Sequence, residues 1–314
     1  MPIFSVIVPV YKAAGTVERC VDSLVASGGE AVQVILVEDC SPDDSWQVCQ
    51  RLAEKYPNVV CRRNDRNRGV SYTRNQGLDL AQGQYLLFTD SDDWVDPDYV
   101  PTFRQVIEAG DTFAICGYVN HDEKNTGRTD IFGWKEKEIF TRVSLVSRIQ
   151  NIYDHRLLQQ LWNKVFVTEL VRKYQVRFDE TISIGEDTRF ILDYIQRAQV
   201  DQVCLIDRPL YHYMRDQDGS LMFRVGYESV EEPLKNLRKL YEIQGIPDLE
   251  QRLVRQREKT VNEYAYLIMH NAGMPAAEKK RLILALDTRN GKLLYRKNRT
   301  LYMKERISRM LRRS

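Results

Sequence analysis

The first hundred residues switch repeatedly between two hydrophobic periods, and few architectures accommodate such a chain. Ile3–Val10 is a near-continuous apolar run of strand length, and Thr16–Ser27 follows with helical spacing, closed by Gly28-Gly29. Val32–Val37 reads as a second strand, and Pro42–Tyr56 as a helix with Ser41 at the N-cap and Pro42 at the first helical position. Val59–Arg62 is a third strand, Ser71–Ala81 a helix and Tyr85–Thr89 a fourth strand. Strands apolar on both faces, alternating with helices, predict an α/β fold: a mostly parallel sheet flanked by helices.

Beyond Pro97 the pattern predicts a helix to about Ala109, a strand over Phe113–Val119 and a polar loop over His121–Asp130. Ile139–Asp154 and Leu157–Tyr174 read as mainly helical, Thr188–Ala198 as a helix, and Val203–Ile206 and Tyr211–Met214 as short strands around Pro209. From about Tyr227 every long segment, 227–243, 248–271, 275–287 and 299–313, has helical period. A boundary near 220 therefore divides a 1–220 α/β domain from a helical C-terminal region, 221–314.

Composition narrows the class. At 43% hydrophobic and 29% charged the chain can bury a core, which excludes wholesale disorder. No apolar run approaches the ~20 residues needed to span a bilayer. Ile3–Val10 is short, contains Pro9 and lacks a basic leader, so it does not read as a signal peptide. Six cysteines without C-x-x-C or metal-like spacing suit a reducing cytoplasm.

The net charge of +2 is unevenly spread. Nine basic residues and Glu305 alone lie between Lys292 and Arg313, a local +8 that leaves 2 − 8 = −6 for the rest. A basic body for nucleic acid is excluded, and no nucleic-acid partner is expected. In the tail Met303, Ile307, Met310 and Leu311 share one helical stripe, with Lys304, Arg306, Arg309, Arg312 and Arg313 on the other faces. That profile fits a helix lying on an anionic membrane surface, or equally a solvated basic helix docked on the acidic body.

In open parallel sheets ligands bind outside the carboxyl ends of the strands. Three strands discharge polar groups there: Pro9-Val10-Tyr11, Glu38-Asp39 and Asp90-Ser91-Asp92-Asp93. Neither G-x-G-x-x-G nor G-x-x-x-x-G-K-[ST] is present to cradle phosphates. A divalent cation can replace such a loop, and Mg²⁺ or Mn²⁺ takes one or two carboxylates plus substrate phosphates. Alternation turns Asp90 and Asp92 to the same side, as that role requires. The same acids could instead serve the start of the helix near Pro97, and spacing alone favours neither use.

Phe4-Ser-Val-Ile-Val-Pro-Val-Tyr11, Val37-Glu-Asp-Cys-Ser41, Asn67-Arg-Gly69 with Thr73-Arg-Asn75, and Tyr85-Leu-Leu-Phe-Thr-Asp-Ser-Asp-Asp-Trp94 resemble, in order and spacing, the blocks of family 2 glycosyltransferases. Leu161-Trp-Asn-Lys-Val-Phe166 and Ile184-Gly-Glu-Asp187 resemble acceptor-side blocks of the bacterial polysaccharide- and glycolipid-making members. Tyr211-His-Tyr-Met-Arg215, with Gly219-Ser220, is similar to the segment closing that domain.

The resemblance implies a GT-A fold, with a nucleotide-binding half over about 1–100 and an acceptor-side half over 101–220. It further implies inverting, hexosyl-type transfer from a nucleotide-sugar, a UDP-sugar, to a hydroxyl of a glycan or lipid-linked acceptor. Carried over by position, Pro9, Tyr11 and Asp39 would hold the nucleobase, with Arg74 near the nucleotide. Asp90 would meet the ribose or metal side of the donor, beside Ser91, and Asp92 would ligate Mn²⁺ or Mg²⁺. Asp187 would be the general base, with Glu186 beside it. His212 is a candidate third metal ligand or a packed ring between tyrosines; Arg215 and Ser220 are candidates for a lid over the diphosphate or ordinary loop residues. Glu38 and Cys40 depart from the family, which more often shows Asp and Gly there, as does Arg68 within the Asn-x-Gly block.

Rival readings are a sugar-1-phosphate nucleotidylyltransferase and a catalytically inactive sugar- or nucleotide-binding relative. The first calls for a glycine-rich loop after the first strand, which Tyr11-Lys-Ala-Ala-Gly15 does not supply. The second sits poorly with intact Asp90, Asp92 and Asp187. The expected location is the cytoplasm, on the inner face of the cell membrane if the tail binds lipid.

Overall fold

The computed structural model describes residues 2–110, 113–122, 128–182, 184–200, 202–214, 228–270, 274–287 and 291–311. The chain divides into two compact units, Met1–Gln217 and Asp218–Ser314.

The first unit opens with the expected alternation. β1 (Phe4–Val10), α1 (Val17–Gly28), β2 (Val32–Glu38), α2 (Ser45–Lys55), β3 (Val59–Arg63), α3 (Val70–Leu80) and β4 (Tyr85–Phe88) follow in turn. They build the parallel order β3-β2-β1-β4, with Val10 opposite Glu38 and Ile7 opposite Phe88. Phe4, Val6, Ile7 and Val8 of β1 and every apolar residue of β2 are fully buried, as helices on both faces demand. The parallel direction puts the carboxyl ends of β1, β2 and β4 on one edge, which is what assembles the site.

The continuation is β5 (Trp94–Val95), α4 (Tyr99–Glu108), β6 (Ala114–Asp122), β7 (Arg128–Phe132), β8 (Glu138–Thr141), α5 (Arg142–Asp154), β9 (Lys164–Val167), α6 (Thr168–Lys173), α7 (Glu186–Arg197) and β10 (Gln202–Met214). Here the sheet becomes mixed: β9 lies antiparallel between β4 and β6, β10 runs parallel to β6, and β5 and β8 pair antiparallel with β10.

Several elements differ from the pattern-based reading. The helix expected from Pro42 begins at Ser45, because Ser41 and Asp43 turn their side chains to the loop after β1. Within Leu157–Tyr174 the run Lys164–Val167 is a strand, since the gap between β4 and β6 is filled by an extended segment with a buried face. Of the expected polar loop His121–Asp130, His121 and Asp122 extend β6 and residues 128–130 begin β7, which pairs with β6 and stacks Phe132 on Tyr118 at 4.8 Å. Glu138–Thr141 is likewise strand rather than helix. The two short strands around Pro209 are one strand, whose register slips at Pro209 because proline has no N–H for the ladder.

The second unit is helical: α8 (Glu228–Gln244), α9 (Leu249–His270), α10 (Ala276–Leu286) and α11 (Gly291–Leu311). Leu234, Val261, Ala265, Ile268, Leu282, Ile283, Leu286 and Leu294 form its core. No described helix of the chain is long and apolar enough to cross a membrane.

Candidate active site

The loop after β1 is where many nucleotide-binding sheets offer backbone amides to phosphate. Here those amides are already taken. Lys12 N donates to Ser41 Oγ (3.0 Å), Ala13 N to Ser45 Oγ (2.9 Å) and Ala14 N to Asp43 Oδ2 (3.3 Å). Pro9 and Tyr11 sit at this edge, with Tyr11 45% exposed.

Asp39, at the end of β2, is buried and ties down the next loop. Its Oδ1 accepts from Asn64 Nδ2 (2.7 Å) and Arg68 N (2.8 Å), and its Oδ2 from Gly69 N (2.8 Å). Gly69 has φ +86°, a conformation that costs other residues, immediately before α3. The Asn-x-Gly block is thus the strap that Asp39 fastens, a job that leaves one lone pair on Oδ2.

The run Thr73-Arg-Asn75 holds three regions together from one helix. Thr73 Oγ1 accepts from Asn64 Nδ2 at 3.1 Å and donates to Gly69 O at 2.9 Å. Asn75 brackets Phe178 through both its amide atoms and donates to Glu180 Oε1, fixing the approach to α7. Arg74, between them, is the centre of the site. Its Nη1 lies 2.6 Å from Asp187 Oδ1 and 3.2 Å from Glu186 Oε1, and its Nη2 lies 3.1 Å from Asp90 Oδ1. The guanidinium is 5% exposed; burial alone would weaken its proton, but Asp187, Asp90 and Glu186 more than restore it and raise its pKa.

Asp187 is the second residue of α7, whose N-cap Gly185 sits at φ +81°. The N-cap position is a glycine, so Glu186 and Asp187 are first-turn acids rather than caps, and their charge also suits the helix N-terminus. Burial raises the Asp187 pKa well above the ordinary carboxylate range, with Glu186 and Asp90 adding to the rise and Arg74 opposing it.

The acidic run after β4 is held from below. Cys20 Sγ and Arg19 Nη2 donate to the carbonyls of Asp90 and Asp92, and Asp90 N donates to Tyr211 Oη at 3.1 Å. Tyr211 in turn donates to Asp93 Oδ2 (2.6 Å), while Met214 N donates to Asp93 Oδ1 (2.7 Å). Asp93 is fully buried, and that burial, with Asp92 and Asp90 nearby, pushes its pKa well up. It bolts the run to β10. The N-cap of α4 is Asp98, with no side-chain cap bond to the helix, and Asp96 Oδ1 accepts from Asp98 N just ahead of it. Asp90, with a third of its side chain exposed, faces Arg74; Ser91 is buried beside it.

His212 stacks on Trp94 at 4.9 Å and 6°, and its Nδ1 shares a 3.0 Å hydrogen bond with His121 Nε2. Nε2 is the nitrogen left for a ligand. Trp162 is packed, stacked on Tyr211 at 4.1 Å. Arg215 and Ser220 lie outside the described residues. Among the described residues no group of three or more His, Cys, Asp or Glu is placed to hold a metal unaided. Open grooves of about 490 and 740 Å³ lie around Arg172, and none of the acids above lines them.

Sequence reasoning passed over Asn64 and gave no individual role to Asn75, Asp93 and Lys164, which it met only within their motifs. Lys164 is fully buried and donates to Leu157 O (2.6 Å), Gln160 O (2.5 Å) and Asn163 Oδ1 (2.6 Å), fixing the loop beside Thr188 of α7. A lysine between Asn163 and the apolar run Val165-Phe166-Val167 was the available signal.

The family model for Glycosyl transferase family 2 matches residues 5–167, more than half of the chain. The minor teichoic acid biosynthesis protein GgaB of Bacillus subtilis is 31% identical over 231 residues, covering 69% of this chain and 23% of that protein. The chain spans less than two thirds of the length of the first relatives it matches. Among solved structures, S. aureus TarS 1-349 in complex with UDP-GlcNAc superposes with a TM-score of 0.60 at 19% identity, covering 92% of this chain and 72% of that one. Mannosyltransferase PcManGT from Pyrobaculum calidifontis, in complex with GDP-Man and Mn²⁺, gives 0.54 at 15% identity, covering 96% and 84%. The fold is that of the GT-A glycosyltransferases, and the chain belongs to glycosyl transferase family 2.

Proposed function

We propose that the chain transfers a hexosyl group from a UDP-sugar to a hydroxyl of a glycan or lipid-linked acceptor, with inversion at the anomeric carbon. One observation carries this reading: Asp90 and Asp187, from a strand end and a distant helix, meet on one guanidinium. A single displacement needs a base at the acceptor hydroxyl and charge neutralisation at the leaving diphosphate, and Asp187 and Asp90 are neighbouring candidates for the two. Asp187 takes the acceptor hydroxyl's proton as its oxygen bonds to the anomeric carbon; the bond to the diphosphate breaks and its electron pair leaves with UDP. The raised pKa makes Asp187 the stronger base. Glu186 stands in the same ion-pair cluster.

Pro9, exposed Tyr11 and Asp39 would receive the uracil, with the remaining Oδ2 lone pair of Asp39 accepting its N–H. The chemistry of the donor set fits a divalent cation: Asp90 and Asp92, in the turn after β4 rather than on the strand, offer hard oxygen ligands, and the amides of Lys12, Ala13 and Ala14 after β1 are unavailable for phosphate. Mn²⁺ or Mg²⁺ held by Asp92 and Asp90 would neutralise charge on the departing diphosphate, with substrate oxygens completing its ligands. The UDP-GlcNAc complex of TarS and the Mn²⁺ complex of PcManGT support this donor chemistry. The occupied amides also count against a nucleotidylyltransferase. We place the protein in the cytoplasm, with α11 against the inner membrane surface.

The test is a panel of nucleotide-sugars with Mn²⁺, scored by nucleoside diphosphate release and by the anomeric configuration of the product. A UDP-sugar yielding UDP and an inverted product is expected. Release from no member, or a retained configuration, rejects the reading.

A further inference from the structure

Arg74 faces more negative charge than it can balance. Asp90, Glu186 and Asp187 bring three carboxylates to one cation, which leaves a deficit of two charges when all are ionised. The three links are also unequal. The tie to Asp187 is the shortest, at 2.6 Å, and both acceptor-side acids are well covered, with side chains 21% and 12% exposed. The tie to Asp90 is 3.1 Å, through the other nitrogen, to a side chain 32% exposed. Ion pairs weaken with solvent access, so the Asp90 end is the one that exchanges most easily.

We propose that Arg74 is a built-in placeholder for the divalent cation at Asp90: cation loading displaces its Nη2 and leaves the guanidinium to Glu186 and Asp187 alone. This rests on the cation role given above to Asp90 and Asp92. The consequence is a link between the two sides of the reaction. Until the donor's cation arrives, Arg74 spans donor-side and acceptor-side acids; afterwards its charge is committed to the base and its neighbour. Arg74 is a positioning residue in this account, because it acts through the acids it holds.

Lysine separates competition from simple repulsion. Arg74→Lys keeps the charge, but a single ammonium lacks the fork that reaches both sides at once, and the closer Asp187 holds it. Titration of Mn²⁺ with UDP, followed by calorimetry and by the Mn²⁺ paramagnetic signal, should therefore show Arg74→Lys binding the cation about tenfold more tightly than wild type. The gain should vanish in Asp90→Asn, where there is no carboxylate to compete for. Arg74→Gln should tighten binding as well, and thermal melting checks that each variant is folded. If folded Arg74→Lys binds Mn²⁺ no better than wild type, or if the gain survives in Asp90→Asn, the placeholder is wrong. If wild-type binding does not depend on Asp92, the cation assignment itself fails and takes the placeholder with it.

Discussion

At Asp187 two forces oppose each other: burial favours the neutral acid and Arg74 favours the ionised one. A base needs that balance, ready to accept a proton yet ionised when the acceptor arrives. Asp187→Asn keeps the shape and removes the basicity, so it should lower kcat by ~10²-fold or more with UDP-sugar affinity nearly unchanged. Turnover and donor binding measured on the same preparation check this. Near-wild-type kcat in Asp187→Asn, with a dead Glu186→Gln, would move the role to the neighbour. Asp39, Asp90 and Asp92 stand out in the sequence as carboxylates just past strand ends, whereas Asp187 is singled out by the family resemblance, its position at a helix start being ordinary for an acid. Their partners were not legible there. That Arg74 gathers three of them, or that Asp93 is held by Tyr211 and Met214, depends on contacts between segments far apart in the chain.

Among the elements, β1, β2 and β4 followed the alternation of periods closely because these strands are mainly apolar on both faces, and β3 is the short edge strand with only Val59 buried. β9 was hidden for a physical reason. Leu157, Leu158, Leu161, Trp162, Val165 and Phe166 keep helical spacing, and only the gap between β4 and β6 makes Lys164–Val167 extended. Lys164 is what this segment depends on. Burial pulls its pKa well below the usual lysine value, while its three acceptors match three N–H donors. Lys164→Met leaves Gln160 O and Asn163 Oδ1 without that donor, while Leu157 O keeps Asn163 Nδ2, and should cost about 2 kcal/mol or more in chemical denaturation. The pH dependence has a definite sign. With the folded pKa below the unfolded one, the unfolded chain binds more protons between them, so stability rises with pH toward the lysine value of 10.5. Lys164→Met should lose that slope.

For the whole molecule, the helical unit buries Leu294 and Asn298 of α11 and leaves Leu293 (69%), Leu301 (43%) and Met303 (46%) exposed beside Lys292, Arg296, Lys297, Arg299 and Lys304. Apolar side chains among cations suit an anionic bilayer, where each cation near the surface contributes ~1 kcal/mol. The protein should bind vesicles containing phosphatidylglycerol and not phosphatidylcholine alone, and salt should release it. Replacing Arg296, Lys297 and Lys304 by Gln should weaken sedimentation with those vesicles by ~100-fold. Equal binding to neutral vesicles, or no loss in the triple variant, would remove the membrane from the account.

The central claim is that the strand-end acids hold the nucleotide through a cation, because the amides after β1 are already taken. Calorimetry of UDP binding in Mn²⁺ and in EDTA, on wild type and Asp92→Ala, tests it most directly. The account predicts tight binding only for wild type in Mn²⁺, with EDTA and Asp92→Ala each reducing it to the same weak level. Equal UDP affinity in Mn²⁺ and EDTA would contradict it.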